Sequence, residues 1–135
     1  MRSIRLQFEI KLLLIFGIVL LLVLFFGSGN LSFEEAKSRA KKDRSSFSEA
    51  QLIKLKKYQA RFTEAAFPPC LKSTDAAPDS FTVVIEIGSN GHVARSWRQG
   101  DSNFVICFER LMTDNFVFRS IGQPFFTSFE YSNAS

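Results

Sequence analysis

Few residues in this chain have the type and spacing to do chemistry. His92 is the only histidine, and in "IGSNGHV" no acidic residue or serine stands where it would orient the ring. A catalytic imidazole needs a positioned partner, so His92 reads as a solvated strand residue. Glu86, Glu109 and Glu130 are scattered over presumed polar faces, and no acid and base can be paired from them. The glycines of "GSGN" and "IGSNGH" come without a phosphate-loop lysine or dinucleotide-fold spacing. Cys70 and Cys107 are too far apart for a Cys-x-x-Cys redox pair, and two cysteines with one histidine give no metal site. The sequence therefore predicts no catalytic residue, no metal and no cofactor. It points to a protein that recognises others through its surface and is not an enzyme.

The elements that carry this surface begin with an oily leader, "MRSIRLQFEIKLLLIFGIVLLLVLFFGSGN". Arg2, Arg5 and Lys11 precede an apolar run from Leu12 to Phe26, and the small residues Gly27, Ser28 and Gly29 follow. Residues 1–29 are expected to be an uncleaved signal anchor, with cleavage after Gly29 as the alternative reading. Lys11 abuts the run, whereas on the far side Glu34 and Glu35 come before Lys37, Arg39, Lys41, Lys42 and Arg44. The N-terminus is thus expected inside and the following domain outside the cytoplasm. In that oxidising compartment a disulfide between Cys70 and Cys107 is the default. It would close a loop of about 37 residues, worth about 3 to 4 kcal/mol in the chain-entropy model. Two buried thiols in a cytosolic domain remain the alternative.

A length of 135 residues leaves room for one small domain behind the leader; phenylalanine supplies 16 of the chain's 19 aromatic residues, and most of these lie outside the leader, enough for a real core. The net charge of +4 is uneven: Phe33 to Glu64 holds nine Lys/Arg against five Asp/Glu, and Cys70 to Ser135 five against seven. The basic segment lacks the glycine and aromatic interleaving of a strand-binding platform. An anionic lipid surface explains it better than nucleic acid, which is not expected as a partner.

Residues 30–47 read as a charged spacer, frayed and partly helical, opened by a capping-box pattern at Ser32 and Glu35. Residues 48–135 form the domain. Its first helix starts at a second capping box, Ser48 and Gln51, and Leu52, Leu55, Tyr58 or Gln59, Phe62 and Ala66 recur at steps of three and four. Lys54, Lys57 and Arg61 lie on its far side, and Pro68 and Pro69 are expected to end it. In "FTVVIEIGSNGHVARSW", Val83, Ile85 and Ile87 alternate with Thr82, Val84 and Glu86, and Asn90-Gly91 predicts a type I′ hairpin. Asp101 and Ser102 are candidate N-caps for a second helix with Phe104, Cys107, Phe108 and Leu111 on one face. "PFFTSFEYS" alternates Phe125, Thr127, Phe129 and Tyr131 against Phe126, Ser128, Glu130 and Ser132 as a last strand with its aromatic stripe on one side. The expected class is α+β: an N-terminal membrane helix, then helix-strand-strand-helix-strand, with an antiparallel sheet packed against two helices on one face.

The segments "FPPC", "FTVVIEIGSNGHVARSWRQGDS", "CFERLM" and "PFFTSFEYS", in that order, resemble the C-terminal domain of TonB-type energy transducers. They are most similar to the AgmX/PglI C-terminal variant, in which one cysteine precedes the first strand and another lies in the helix after the hairpin. The resemblance covers Gln51 to Ser132. It implies a periplasmic domain held at a bacterial inner membrane by one N-terminal helix, recognising protein partners of the cell envelope. It also implies that the last strand, Phe125 to Ser132, adds a partner's extended segment to the sheet edge. The chain departs from the family in its membrane run, which has no histidine or serine, in the absence of a long proline-rich spacer, and in Leu71 where the variant has tyrosine. These departures keep the binding fold and drop the motor.

The function expected is a single-pass, membrane-anchored adaptor or scaffold that binds through the Phe125, Thr127, Phe129 and Tyr131 strand. The side chains of that strand are expected in the core, leaving its backbone edge for the partner. A proline at Thr127 should then weaken capture without unfolding the domain. Arg95, Arg98 and Arg119, with Lys54 and Lys57 on the basic helix face, are candidate contacts to acidic partners. A homodimer is compatible with the pattern. The alternative is a cleaved, secreted, disulfide-stapled inhibitor or immunity protein.

Overall fold

A computed structural model describes residues 2–26, 29–73, 76 and 78–133, with the backbone alone for 2–6 and 20–26. The chain divides into two compact units, Met1–Leu31 and Ser32–Ser135. The first holds α1 (Arg2–Phe26). Its described side chains are open to solvent, Phe8, Leu13 and Phe16 being 73, 71 and 74% exposed. Among the described residues no helix is long and apolar enough to cross a membrane. The expected span continues past Val19 into side chains outside the described residues, as do Gly27 and Ser28 of the expected cleavage region.

The second unit contains α2 (Phe33–Ser46), α3 (Glu49–Lys72), β1 (Ser80–Ile87), β2 (Val93–Gln99), α4 (Asn103–Asn115) and β3 (Phe125–Ser132). The class is α+β with an antiparallel sheet in the order β2-β1-β3. The element order differs from the one expected, because an additional packed helix opens the unit. Residues 33–46 are not a frayed spacer. In α2 the Ser32 hydroxyl accepts from the Glu35 N–H at 3.2 Å and the Glu35 carboxylate accepts from the Ser32 N–H at 2.7 Å. Those bonds satisfy two orphan donors. One turn apart, Ala36 and Ala40 are buried, at 0 and 4% exposure, and their small side chains let the helix backbone lie close to the sheet.

The second capping box, Ser48 with Gln51, starts α3. The helix does not stop at Pro68 and Pro69 but runs through them to Lys72. Proline deprives the carbonyls four residues back of their donors, here Glu64 and Ala65, and all four residues lie on the solvent side, where water can serve those carbonyls. The inward side of the same turns is held by buried Ala66 and Cys70. Cys70 is bonded to Cys107, which ties the end of α3 to the middle of α4.

Register assigns the sheet's two faces. Phe81, Val83, Ile85 and Ile87 of β1 stand opposite Tyr131, Phe129, Thr127 and Phe125 of β3, and opposite partners share a face. This face carries the main core with α3 and α4, dominated by Phe62, Phe104, Phe108 and Phe116. The other face presents Thr82, Val84 and Glu86 beside Trp97 and Phe126. Thr82 and Val84 are buried on this presumed polar side because α2 covers it.

The hairpin turn is not type I′. Among the described residues only glycines have positive φ, so Ser89 and Asn90 are excluded and the positive value, +84°, falls on Gly91. The Gly91 N–H donates to the Gly88 carbonyl and the Gly88 N–H to the His92 carbonyl, both at 2.9 Å. Glycine is required at position 91 by its φ of +84° and by the lack of room for a side chain. A Cβ there would stand 2.9 Å from the Phe118 carbonyl oxygen, and the Phe118 N–H donates to the Gly91 carbonyl at 2.8 Å. The segment between α4 and β3 thus pins the turn.

Candidate functional site

Strand β3 is an edge strand, and its backbone polarity follows from register. Residues 125, 127, 129 and 131 turn their peptide groups to β1, while 126, 128 and 130 turn theirs outward. Two helices flank that outer edge, one on each face. On the core face α3 follows the strand: Gln59 bonds to Thr127 and Ser128, Phe62 packs on Phe129 and Phe67 on Tyr131. On the opposite face α2 sets the Arg39 guanidinium 5.5 Å from the Phe126 ring centroid. The two helices meet at Phe47, whose ring stands edge-on to Phe125 at 5.3 Å.

Between them lies a groove of about 730 Å³, with Ser128 to Tyr131 on its floor. The α2 wall presents Lys37, Lys41 and Arg44, and the α3 wall Leu52, Leu55, Ala60, Thr63 and Lys56. Two side chains reach the outer edge of the strand near its start. The Asp43 carboxylate accepts from the Phe126 N–H at 2.7 Å. The Gln59 amide donates to the Ser128 carbonyl at 3.2 Å and to the Thr127 hydroxyl at 3.1 Å. Such contacts blunt an edge against indiscriminate pairing. Further along, the outward N–H and C=O of Glu130 meet no protein partner among the described residues. The groove is therefore guarded at its closed end and has unpaired backbone groups at its open end.

The strand residues expected to bind are Phe125, Thr127 and Phe129, all buried, and Tyr131, half-buried. Their side chains belong to the core or its margin and their backbone groups to β1. Thr127→Pro would therefore break the ladder with Ile85. The outward N–H groups belong to Phe126, Ser128 and Glu130, and a proline meant to block the edge while sparing the fold belongs at Glu130.

None of Arg95, Arg98, Lys54 and Lys57 lines the groove. Arg95 is bonded to Glu86, whose carboxylate holds the guanidinium pKa above its usual range, and it lies over Trp97 at 5.3 Å. Arg98 bonds to Glu109 at 2.7 Å, which raises its pKa in the same way, and reaches Asp101 at 3.5 Å. Lys54 and Lys57 are exposed on the outer side of α3, and Arg119 donates to the Asn90 carbonyl. His92 is exposed and bridged to Val117. Sequence reasoning missed Asp43, Gln59, Lys37, Lys41, Arg44 and Lys56. The available signal was Ala36 and Ala40, one turn apart in an otherwise charged segment. No family model, curated protein or solved structure matches the chain.

Proposed function

We propose that the chain is a protein-interaction module of the cell envelope, anchored by α1 at a bacterial inner membrane with unit Ser32–Ser135 on the periplasmic side. In this reading it works as an adaptor that captures an extended segment of a partner along the outer edge of β3. The observation that carries this reading is the edge itself: a strand whose outward peptide groups floor a groove between two helices. Strand addition uses such groups for affinity and the groove walls for selectivity. The anchor is supported by the apolar run from Leu12 to Phe26 and by the exposure of the described apolar side chains of α1. The Cys70–Cys107 bond fits an oxidising compartment.

Two measurements test the proposal. Fractionation of a Gram-negative host expressing the full chain should find it in the inner membrane at intact mass and without free thiols; a chain shortened by about 29 residues would favour the secreted inhibitor. A photocrosslinking residue at Ser38, inside the groove, should give a partner adduct that Glu130→Pro abolishes at unchanged domain stability. The same residue at Lys57 should give none. An adduct from Ser38 that survives Glu130→Pro would remove strand addition from the proposal.

A further inference from the structure

The groove's two walls differ in chemistry, and the difference specifies what fits between them. Its charged lining consists of Lys37, Lys41 and Arg44 on α2 and Lys56 on α3, four cations, against the two carboxylates of Glu34 and Glu130. None of the four cations forms an ion pair among the described residues, and with Lys37, Lys41 and Arg44 against Glu34 the α2 wall carries a net positive charge. The α3 wall is mostly apolar or small, with Leu52, Leu55, Ala60 and Thr63.

Side chains of a strand alternate between faces. A strand laid along the outer edge of β3 would turn one set towards α2, which covers the Phe126 face, and the other towards α3, which covers the Thr127 face. We infer that the groove receives an extended partner segment of alternating acidic and apolar residues, its acidic side chains against Lys37, Lys41 and Arg44 and its apolar ones against the α3 wall. This deepens the strand-capture reading and rests on it. The protein already places one carboxylate at this edge, since Asp43 occupies the Phe126 N–H. A partner's carboxylates one and two turns up α2 would relieve the repulsion among its cations. The carboxylates of Glu34 and Glu130 keep the net attraction modest, so selectivity comes from the alternation as well as from charge.

The test uses the full chain in detergent micelles and a fluorescent peptide of alternating Glu and Val. Three comparison peptides have Gln for Glu, have Lys for Glu, or keep the Glu–Val pattern with alternate backbone nitrogens methylated. At low salt the Glu–Val peptide should bind at least about tenfold more tightly than the Gln–Val peptide. The gap should close with added salt and in the variant Lys37→Gln, Lys41→Gln, Arg44→Gln, whose exposed or half-exposed positions spare the core. The Lys–Val and methylated peptides should not bind. Equal binding of the Glu and Gln peptides would overturn the acidic partner and leave strand capture standing. Binding untouched by methylation would overturn strand capture. No binding by any peptide would overturn both, and a concentration-dependent dimer that closes the groove would make a second copy the occupant and overturn the inference.

Discussion

The two faces of the sheet are held by different means. On one, α3 and α4 enclose rings in mutual contact: Phe108 alone meets Phe62, Phe67, Phe81 and Phe129 at centroid distances of 5.2 to 6.0 Å. A disulfide joins the two helices. On the other, α2 rests on two alanines, Val84, Phe126 and the Asp43 carboxylate. Aromatic pairs and large buried areas stabilise far more than alanine contacts. The aromatic face is therefore expected to contribute more to folding than the α2 face, and the groove lies where they meet.

The comparison breaks most severely at its strong side. Phe108→Ala should cost about 3–5 kcal/mol and unfold Ser32–Ser135 in denaturant at much lower concentration, taking α2 with it. Removing the disulfide by Cys70→Ser with Cys107→Ser should cost about 2–4 kcal/mol, measured as the loss of denaturation midpoint against the oxidised chain. On the weak side, Asp43→Ala leaves the Phe126 N–H without its carboxylate and should cost about 1–2 kcal/mol. Amide exchange should quicken across α2 and stay unchanged in α4; a uniform change would show that the faces are not independent.

The smallest effect is in acid. Hydrogen bonds from the backbone and side chain of Ser32 hold the Glu35 carboxyl below its ordinary pKa. A depressed carboxyl contributes fully above its unfolded value and loses that contribution as pH falls through the lowered one. The first turn of α2 should therefore fray below roughly pH 4, read as faster exchange there. Glu35→Gln keeps a capping partner and should abolish the pH dependence.

Much of the strong face was legible in the sequence. Caps at Ser48 and Ser102, the three- and four-residue steps of α3 and the alternation of β1 and β3 follow local rules, and the structure has them. The weak face was hidden because its signals are small or inverted. Alanine is too short to mark a stripe, and Val84 reads as one more apolar residue until a second covering layer is known. Pro68 and Pro69 misled because the consequence of a lost donor depends on whether its carbonyl meets water. Asn90-Gly91 misled because the contact with Phe118 and Arg119, far along the chain, determines the loop. The groove was illegible for the same reason: it exists only once α2 and α3 straddle β3.

The connection at Ser32 has a consequence for local opening. The chain enters the second unit at the first turn of α2, beside the open end of the groove. From there the contacts of α2 with the sheet side come in the order Ala36, Ala40 and the Asp43 clasp, each small on its own, before Phe47 leads into α3 and the ring-packed side. A local opening of α2 would therefore widen the groove and leave the β1–β3 ladder and the aromatic core in place, a smaller event than global unfolding.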